Sequence, residues 1–523
     1  MKATFSPTPP PPLRAGPPEE ATAPELKAGP FVAATRPDVV VSAGATPPAK
    51  ISLNESPELS TPARSPIPLK HVFFAPGTFQ FFQNNAVSAA SASFSTVNEP
   101  SVAARTNGKQ KAVFYTGNWF AAVSSDGGSS YQYLNPSTVF PASAGGFCCD
   151  QRALYEPSHD MFFWLLQYQT TGGCPPRGSC TGNNIYRIAV ANGTAGVING
   201  DWCYYDFTPQ NLGLAAGLQF DYPHVAISNN FFYFSANSYL TSGLSGANWR
   251  DSSIVRIPLG PLKTCAGFTY NYLNVTDHYD LNLAHGATDT IYFASNTNTS
   301  SVRVYSWAES SGTIYWTDHK VTSWKLGGSA CNDPKGVNWC SRSGNGGSSG
   351  TGWINAQQQG GSGRGPANTA TVGFMWNAQA CTNKQSCGYN RPWPYIRVLR
   401  FKASDLSLID EPDIWNSNYA FQFPSLGVDA RRHIAGTMFW GGGSSYPTLV
   451  SYIWDDFTCN PYACGWENYG VVASSASNAN WGDYLETRPQ SPYTNTWVGT
   501  GYSYDGTNVT PQFMWFGRQR DTP

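Results

Sequence analysis

Residues 98–136 read NEPSVAARTNGKQKAVFYTGNWFAAVSSDGGSSYQYLNP. Four short runs of β-forming residues alternate with turn signals: Asn107-Gly108 follows the first run, and Asp126-Gly127-Gly128 follows the third. Such spacing is typical of antiparallel strands joined by tight turns. The stretch therefore predicts a four-stranded antiparallel meander.

The 523-residue chain is rich in aromatic residues and poor in charge. Aromatic residues make up 14% and charged residues 12%, with 51 Gly and 39 Pro. This composition is typical of many short strands and turns, not of long charged helices. A net charge of −1 provides no broad field for nucleic acid, and no apolar run is long enough to span a bilayer. We therefore expect neither a nucleic-acid partner nor a membrane span.

A loose pattern recurs along the chain, in which a polar, often Pro-containing segment precedes an apolar strand and then an aromatic strand. The seven starts lie at Asn98, Asp150, Asp221, His285, Trp353, Gln422 and Asp483. They are roughly 50 to 70 residues apart, longer than compact propeller repeats, so the repeats must carry loop insertions. We predict an all-β fold, a single β-propeller of seven four-stranded blades. Six blades, or a β-sandwich or two β domains, are the alternatives.

Residues 1–70 differ from the rest because they are rich in Pro and Ala and have little apolar periodicity. Such a segment buries too little surface to offset the entropy of ordering, so we expect a disordered tether. The propeller domain is expected over residues 71–523, and the apolar run at residues 71–74 is interpreted as a strand that closes the ring. The first residues lack the apolar core of a secretory signal, so the route of export is not visible.

The twelve cysteines indicate disulfides, and hence an extracellular or cell-surface location. Four close pairs bracket loops and are expected to bond: Cys174 with Cys180, Cys331 with Cys340, Cys381 with Cys387, and Cys459 with Cys464. Adjacent cysteines usually bond to different partners. We therefore expect Cys148 and Cys149 to pair with Cys203 and Cys265. The spacing typical of zinc sites does not occur.

Three short motifs resemble those of the sialidase-like, BNR-repeat propeller superfamily. Residues 124–131 (SSDGGSSY) resemble its Asp box, residues 503–506 resemble part of one, and residues 481–484 (WGDY) are similar to a strand start found in many of its members. The resemblance implies a propeller scaffold over roughly residues 95–518. It also implies that Asp126 caps its own turn, remote from the chemistry. True sialidases carry Arg-Ile-Pro near the first blade, whereas residues 256–258 (RIP) lie well after the box, so the match to them is not close.

In a propeller the innermost strand of each blade begins near the central channel, so polar side chains at the strand starts converge there. The catalytic candidates are Glu99, Asp150, Asp221, His224, His285 and Asp483. The candidates for substrate binding are Arg152, Tyr222, Trp353, Asn355 and Tyr484. The simpler interpretation of each single Asp or Asn is a turn hydrogen bond.

These residues suggest a monomeric, glycan-active enzyme whose site lies in the channel. Carboxylates as acid and base suit a glycoside hydrolase. His224 or His285 as the base, with Arg152 on an anionic group, suits a polysaccharide lyase. The alternative is a non-catalytic propeller that binds carbohydrate or protein through aromatic side chains. We expect no cofactor; a structural Ca²⁺ ion held by Asp150 and Asp221 is the alternative use of these carboxylates.

Overall fold

The structure, a computed structural model, describes most of residues 79–521 and three short segments before them. The described residues are 19–22, 26–30, 50–52, 79–87, 98–107, 110–170, 182, 184–241, 248–326, 330–341, 351–355, 370–383, 387, 390–454, 466–482 and 484–521. The remainder of the predicted tether and the predicted closing strand at residues 71–74 lie outside the described residues.

The strands form seven four-stranded blades, which confirms the predicted all-β propeller. Four strands precede blade 1: β1 (Glu19–Thr22), β2 (Leu26–Pro30), β3 (Lys50–Ser52) and β4 (Phe79–Ala86). Blades 1 and 2 contain β5 (Ser101–Asn107), β6 (Gln110–Thr116), β7 (Ala121–Ser124), β8 (Gln132–Leu134), β9 (Phe147–Glu156), β10 (Met161–Tyr168), β11 (Tyr186–Asn192) and β12 (Asp201–Phe207). Blades 3 and 4 contain β13 (Leu218–Ile227), β14 (Phe231–Leu240), β15 (Trp249–Pro258), β16 (Thr269–Val275), β17 (Asn282–His285), β18 (Thr290–Asn298), β19 (Ser301–Ala308) and β20 (Tyr315–Lys320).

The last three blades use the rest of the chain and one strand from its beginning. Blades 5 and 6 contain β21 (Thr351–Asn355), β22 (Thr371–Ala378), β23 (Tyr395–Lys402), β24 (Leu408–Asp410), β25 (Ala420–Val428), β26 (Ile434–Gly442), β27 (Ser445–Trp454) and β28 (Trp466–Ala473). Blade 7 contains β29 (Thr487–Pro489), β30 (Trp497–Tyr504) and β31 (Val509–Arg518), and β4 is its outer strand. The ring is therefore closed by β4, which follows the predicted closing strand in the chain.

Within the described residues helix is confined to short connections. Two short α-helices, α1 (Gly193–Asn199) and α2 (Leu259–Lys263), and two 3₁₀ turns, Pro209–Leu212 and Gln519–Asp521, lie outside the blades. The strands β1, β2 and β3 each pair with the outer strand of a blade: blade 3, blade 2 and blade 6 respectively. The packed body of the described structure is thus made of the blades of the ring.

Hydrogen bonding divides the seven blades into six sheets. The inner strands of blades 4 and 5, β17 and β21, pair in parallel through Ala284 with Gly352 and His285 with Trp353. Gly352 permits this close approach, because a Cβ there would lie 2.7 Å from the ring of Phe374 and 3.1 Å from Cα of Ala284. Blades 4 and 5 are therefore joined into one eight-stranded sheet.

Apolar clusters fill the contacts between neighbouring blades. Each of the seven contacts between described blades has its own cluster of buried residues. Phe163 of blade 2, for example, stacks on Phe232 of blade 3 with ring centroids 4.5 Å apart. Since both faces of every blade are covered, the fold needs aromatic and branched side chains on both faces. This requirement explains why the sequence is rich in aromatic residues and poor in charged ones.

The turn at residues 124–131 has the geometry that the resemblance implied. Oδ1 of Asp126 accepts hydrogen bonds from the backbone N–H groups of Ser129 and Ser130, both at 2.9 Å. Gly127 and Gly128 have φ of 84° and 99°, and Tyr131 is buried. The turn joins the third and fourth strands of blade 1, so it lies on the lower face of the ring, opposite to the upper face where the innermost strands begin.

The second Asp turn lies on the other face. Asp505 accepts the backbone N–H groups of Thr507 at 2.8 Å and Asn508 at 2.7 Å. This turn joins the second and third strands of blade 7, because it follows β30 and precedes β31. In an antiparallel blade that connection falls on the upper face. The two similar turns are therefore not equivalent positions of the repeat.

Bulges occur where several innermost strands begin. In β13 the register shifts between Asp221 and His224, and in β25 it shifts between Gln422 and Ser425. The first bulged residue of each, Tyr222 and Phe423, has a positive φ, 61° and 58°, and a proline follows. A bulge turns the side chains near it out of the regular alternation. The recurrent Pro-containing starts are thus sites where the chain redirects side chains toward the channel.

The disulfides correct one sequence-based prediction. Cys148 and Cys149 bond to each other, and Cys203 bonds to Cys265, so the expected cross-pairing of these four residues is wrong. The adjacent pair is accommodated because Cys149 has a positive φ of 37° within a break in the pairing of β9 with β10. The pairs Cys331–Cys340 and Cys381–Cys387 are confirmed. The pairs Cys174–Cys180 and Cys459–Cys464 lie outside the described residues.

Candidate functional site

Acidic and basic side chains collect along the channel, from the innermost strands of blades 1, 2, 3, 4 and 7 and from the residues just before those strands. We call this group the channel cluster. It contains Glu99, Asp150, Arg152, Asp221, Tyr222, His224, Asp280, His285, Tyr484, Glu486 and Arg488. Most of these side chains are buried, and Asp221 and His285 are partly exposed. Solvent therefore reaches the cluster at these two residues.

Asp150 lies at the centre of the acidic part of the cluster. Its Oδ2 accepts a hydrogen bond from the Tyr484 hydroxyl at 3.1 Å. Burial raises the pKa of Asp150 well above its usual value, and the negative charges of Glu99 and Asp221 raise it further. Arg152 and the Tyr484 hydrogen bond act in the opposite direction without reversing the shift. Asp150 is therefore a carboxyl group that retains its proton to higher pH than an exposed aspartate.

Tyr484 forms the apolar floor beneath these charges. The guanidinium carbon of Arg152 lies 3.7 Å from the Tyr484 ring centroid, a cation–π contact, and the Tyr222 ring lies 4.6 Å away on centroids. Nε of Arg152 also donates to the carbonyl oxygen of Pro223 at 2.8 Å. Burial raises the pKa of Tyr484 well above its usual value. The Tyr484 hydroxyl is thus a neutral hydrogen-bond donor.

A histidine–aspartate pair stands next to this floor. Nε2 of His224 lies 3.0 Å from Oδ1 of Asp280. The backbone N–H of Asp280 donates to Asn237 Oδ1 at 3.0 Å and Ser252 Oγ at 3.1 Å, which fixes a residue whose φ is 59°. Burial raises the pKa of Asp280, and His224 partly offsets the rise. Asp280 holds the imidazole in one orientation, as a carboxylate does for a histidine base.

Two arginines share one carboxylate in the basic part of the cluster. Oε2 of Glu486 lies 3.0 Å from Nη2 of Arg488 and 3.6 Å from Nη1 of Arg152. Nη1 of Arg488 also donates to Nδ1 of His285 at 2.5 Å. Burial lowers the pKa of His285 well below its usual value, and Arg488 lowers it further. The lowered pKa of His285 favours its neutral form, and two arginines face one carboxylate.

Glu99 is held by a turn of its own blade. The side chain of Asn118 donates to Oε2 of Glu99 at 2.6 Å and accepts the backbone N–H of Glu99 at 2.7 Å. The turn of residues 117–120, which contains Asn118, is itself fixed by the Gln151 amide. That amide donates to the carbonyl oxygens of Gly117 and Phe120. Since Gln151 lies between Asp150 and Arg152, blades 1 and 2 position their acidic residues as one unit.

The structure brings most of the predicted site residues together. Glu99, Asp150, Asp221, Arg152, Tyr222, His224 and Tyr484 meet around the Tyr484 ring, whereas His285 contacts Arg488. Trp353 and Asn355 belong to the innermost strand β21, but their side chains lie outside the described residues, as does Asp483.

Three members of the cluster are absent from the sequence-based prediction: Asp280, Glu486 and Arg488. Alternation along an extended chain would have found two of them, because residues 484, 486 and 488 point to one side. Asp280 precedes a strand of only four residues that has no proline at its start. The sequence pattern therefore predicts the start of blade 4 at His285, which is the last residue of that strand.

Two further sequence-based ideas concern a metal ion and residues 256–258 (RIP). Among the described residues there is no group of three or more His, Cys, Asp or Glu side chains that could hold a metal ion. Arg256 belongs to the third strand of blade 3, where its guanidinium carbon lies 4.1 Å from the Trp307 ring centroid and it donates to the carbonyl oxygens of Ala308 and Ser311.

The solved structures that are similar to this chain include propellers whose sequences have low identity to it. The NanB sialidase from Streptococcus pneumoniae is 7% identical with a TM-score of 0.41, covering 79% of this chain and 84% of that one. An α-L-arabinofuranosidase from Fusarium graminearum is 7% identical with a TM-score of 0.39, covering 83% and 97%. A lectin from Aleuria aurantia is 10% identical with a TM-score of 0.33, covering 74% and 97%.

The chain matches no protein family profile and no curated protein sequence. At such identities an activity does not carry over from one propeller to another, since function resides in the site and not in the fold. No helix among the described residues is long and apolar enough to cross a membrane.

Proposed function

We propose that the protein is a glycan-active propeller enzyme that hydrolyses a glycosidic bond in the channel cluster. One observation carries the proposal: Asp150, a buried carboxyl group with a raised pKa, lies among the carboxylates of Glu99 and Asp221 from the two neighbouring blades. Glycoside hydrolysis requires two carboxyl groups in different protonation states around one bond. Four described disulfides support action outside the cell, in an oxidising environment, and we expect a monomer.

In the proposed reaction Asp150 donates its proton to the glycosidic oxygen as that bond breaks. Glu99 or Asp221 acts on the opposite side of the sugar, either on the anomeric carbon or on the water that replaces the leaving group. The Tyr484 hydroxyl orients Asp150 through Oδ2. Arg152 and Arg488 face one carboxylate, Glu486, and so retain positive charge for an anionic or hydroxyl-rich part of the substrate.

Elimination from a uronate is the second candidate, and the His224–Asp280 pair favours it specifically. An imidazole held by a carboxylate can remove the proton next to a carboxyl group, while the arginines neutralise that carboxyl group. The two reactions leave different products. Hydrolysis yields a new reducing end alone, whereas elimination also yields an unsaturated uronate that absorbs in the ultraviolet.

The test is a comparison of Asp150→Asn with the wild-type protein on a panel of neutral and uronate-containing polysaccharides. Asparagine keeps the shape and the hydrogen bond to Tyr484 but cannot donate the proton, so turnover should fall by roughly 100-fold or more. Asp201→Asn is the matched control, because Asp201 is an exposed carboxylate at the start of an outer strand.

The same panel separates the alternatives. Ultraviolet-absorbing products that vanish in His224→Ala would replace hydrolysis by elimination. Binding without any product would identify a non-catalytic, carbohydrate-binding propeller. Asp150→Asn that folds normally and turns over like the wild type would contradict the proposed role of Asp150.

A further inference from the structure

We infer that Trp119, Phe147 and the Cys148–Cys149 disulfide form a binding subsite for a neutral pyranose ring of the substrate. This apolar platform lies on the upper face beside Glu99 and Asp150. The inference rests on the proposed function, because it names how the same site holds the glycan. None of the three parts of the platform takes part in the chemistry proposed above.

Trp119 differs from most of the large apolar side chains in its solvent exposure. It is 43% exposed, and among the described residues only Tyr315 and Leu326 are comparably exposed large apolar side chains. Trp119 belongs to the 117–120 turn, which joins the second and third strands of blade 1 and so lies on the upper face. An exposed indole next to a polar site offers a flat surface for the apolar face of a sugar ring.

Blade 2 provides the rest of the platform. The ring of Phe147 meets Trp119 edge to face, with centroids 6.5 Å apart and planes at 85°, and is supported from behind by Tyr168 at 6.3 Å. The bonded cysteines 148 and 149 continue from Phe147 to Asp150, and all three residues before Asp150 are only partly buried. The paired sulfurs are an apolar, polarizable surface.

The platform is rigidly connected to the carboxylates. Asn118, next to Trp119, makes both hydrogen bonds to Glu99, and the Gln151 amide holds the backbone on either side of Trp119. The indole NH of Trp164 donates to Oε1 of Gln151 at 2.8 Å, so this amide is fixed in turn. A ring stacked on Trp119 would therefore have its bond to the next sugar placed over Glu99 and Asp150. Preorganisation of this kind reduces the entropy lost on binding.

The charges of the surrounding side chains indicate which class of ligand the platform binds. Trp119, Phe147 and the disulfide are neutral, whereas the two arginines of the cluster, 152 and 488, lie around Glu486. A stacked, uncharged pyranose fits the platform, and an anionic group fits the arginines. The substrate is thus expected to present a neutral ring on one side of the cleaved bond.

The test measures affinity in the Asp150→Asn background, which prevents turnover. Cellopentaose, xylopentaose, mannopentaose and pentagalacturonate are titrated against the full chain by calorimetry and by tryptophan fluorescence. Trp119→Ala should weaken the tightest neutral pentaose about tenfold, and Trp119→Phe should restore part of the affinity because it keeps an aromatic face. Tyr315→Ala, which removes a comparably exposed ring from blade 4, should leave the affinity unchanged.

Several results would overturn the inference. These are an unchanged affinity in folded Trp119→Ala, no binding of any neutral pentaose by the parent protein, or a change in self-association without a change in affinity. Failure of the proposed function is seen separately in the turnover of Asp150→Asn. Normal turnover there with weakened binding in Trp119→Ala would reject the role of Asp150 and retain the platform.

Discussion

Burial of Asp150 disfavours its charged form, and its neighbours do not compensate for this free-energy cost. Arg152 and Tyr484 favour its charged form, but burial and the carboxylates of Glu99 and Asp221 oppose it more strongly. Buried carboxyl groups with strongly raised pKa values are concentrated at functional sites, because elsewhere a single substitution can remove the destabilising group. The same arrangement that suits Asp150 to donate a proton should also make the fold less stable.

This cost gives a prediction for stability against pH. Because the pKa of Asp150 is raised on folding, its contribution is fully present below the pKa of an unfolded aspartate, about 3.9, and is lost as pH rises through the folded-state pKa. Asp150→Asn removes this loss. It should raise the melting temperature by roughly 1–3 °C at pH 7 and by nothing near pH 4.

Calorimetric melts between pH 4 and pH 8 would measure the difference between the two proteins. The exposed control, Asp201→Asn, should show no such trend with pH. A shift for Asp150→Asn that is the same at every pH would mean that the carboxyl group of Asp150 is not strained by its surroundings.

Individual site residues were predictable where they stand at a strand start with a clear turn or proline. Tyr222 and His224 flank Pro223, and Glu99 precedes Pro100, so their places could be inferred from the sequence. The contacts that define their roles could not, since they cross from one blade to another. The pairing of Cys148 with Cys149 was missed because it depends on a positive φ, which no residue type at that position announces.

At the scale of the element, the residues just before β29 serve both the core and the site. Trp481 is fully buried in the cluster between blades 6 and 7, and Tyr484 reaches the channel. Gly482 lies between them against blade 1. A Cβ on Gly482 would come within 2.6 Å of the carbonyl oxygen of Asn98 and 2.9 Å of Cγ of Glu99. The segment thus fills the core and shapes the site at the same time.

Gly482→Ala should therefore impair both stability and activity. The clash is partly with backbone, which cannot rotate away, so the substitution should cost roughly 1–3 kcal/mol of unfolding free energy. Displacement of Glu99 should also lower kcat. Chemical denaturation and the hydrolysis assay would measure the two effects.

Gly470→Ala is the matched control for this substitution. A Cβ on Gly470, in the outer strand β28, meets no atom within 4 Å. If both alanine variants behave like the wild type, the blade 7 to blade 1 contact is looser than these distances indicate.

At the scale of the whole molecule, the ring depends on a strand from the beginning of the chain. The strand β4 pairs with β31, so blade 7 is completed by residues about 430 positions away in sequence. Phe79 anchors that strand: its ring stacks on Tyr469 of blade 6, with centroids 3.8 Å apart, and meets Phe81 edge to face at 4.9 Å. Seven blades were predictable from the recurrent starts; which strand closes the ring was not, because β-forming runs precede blade 1 at more than one place.

Phe79→Ala should weaken the closure. Loss of a buried phenyl ring that touches two blades should cost about 3 kcal/mol or more. Phe82→Ala is the control, because Phe82 is half-buried and its ring packs against Trp515, with centroids 5.4 Å apart. In equilibrium urea unfolding, the free energy of unfolding of Phe79→Ala should be well below that of Phe82→Ala. Equal losses would show that β4 is not anchored through Phe79.

The parallel pairing of β17 with β21 has a mechanical consequence. Because β17 and β21 pair within one sheet, blades 4 and 5 cannot part without breaking the backbone pairing between them. Widening of the channel at this contact would therefore cost hydrogen bonds in addition to apolar burial. The proposed glycan would therefore bind in a channel whose wall is stiffened along blades 4 and 5.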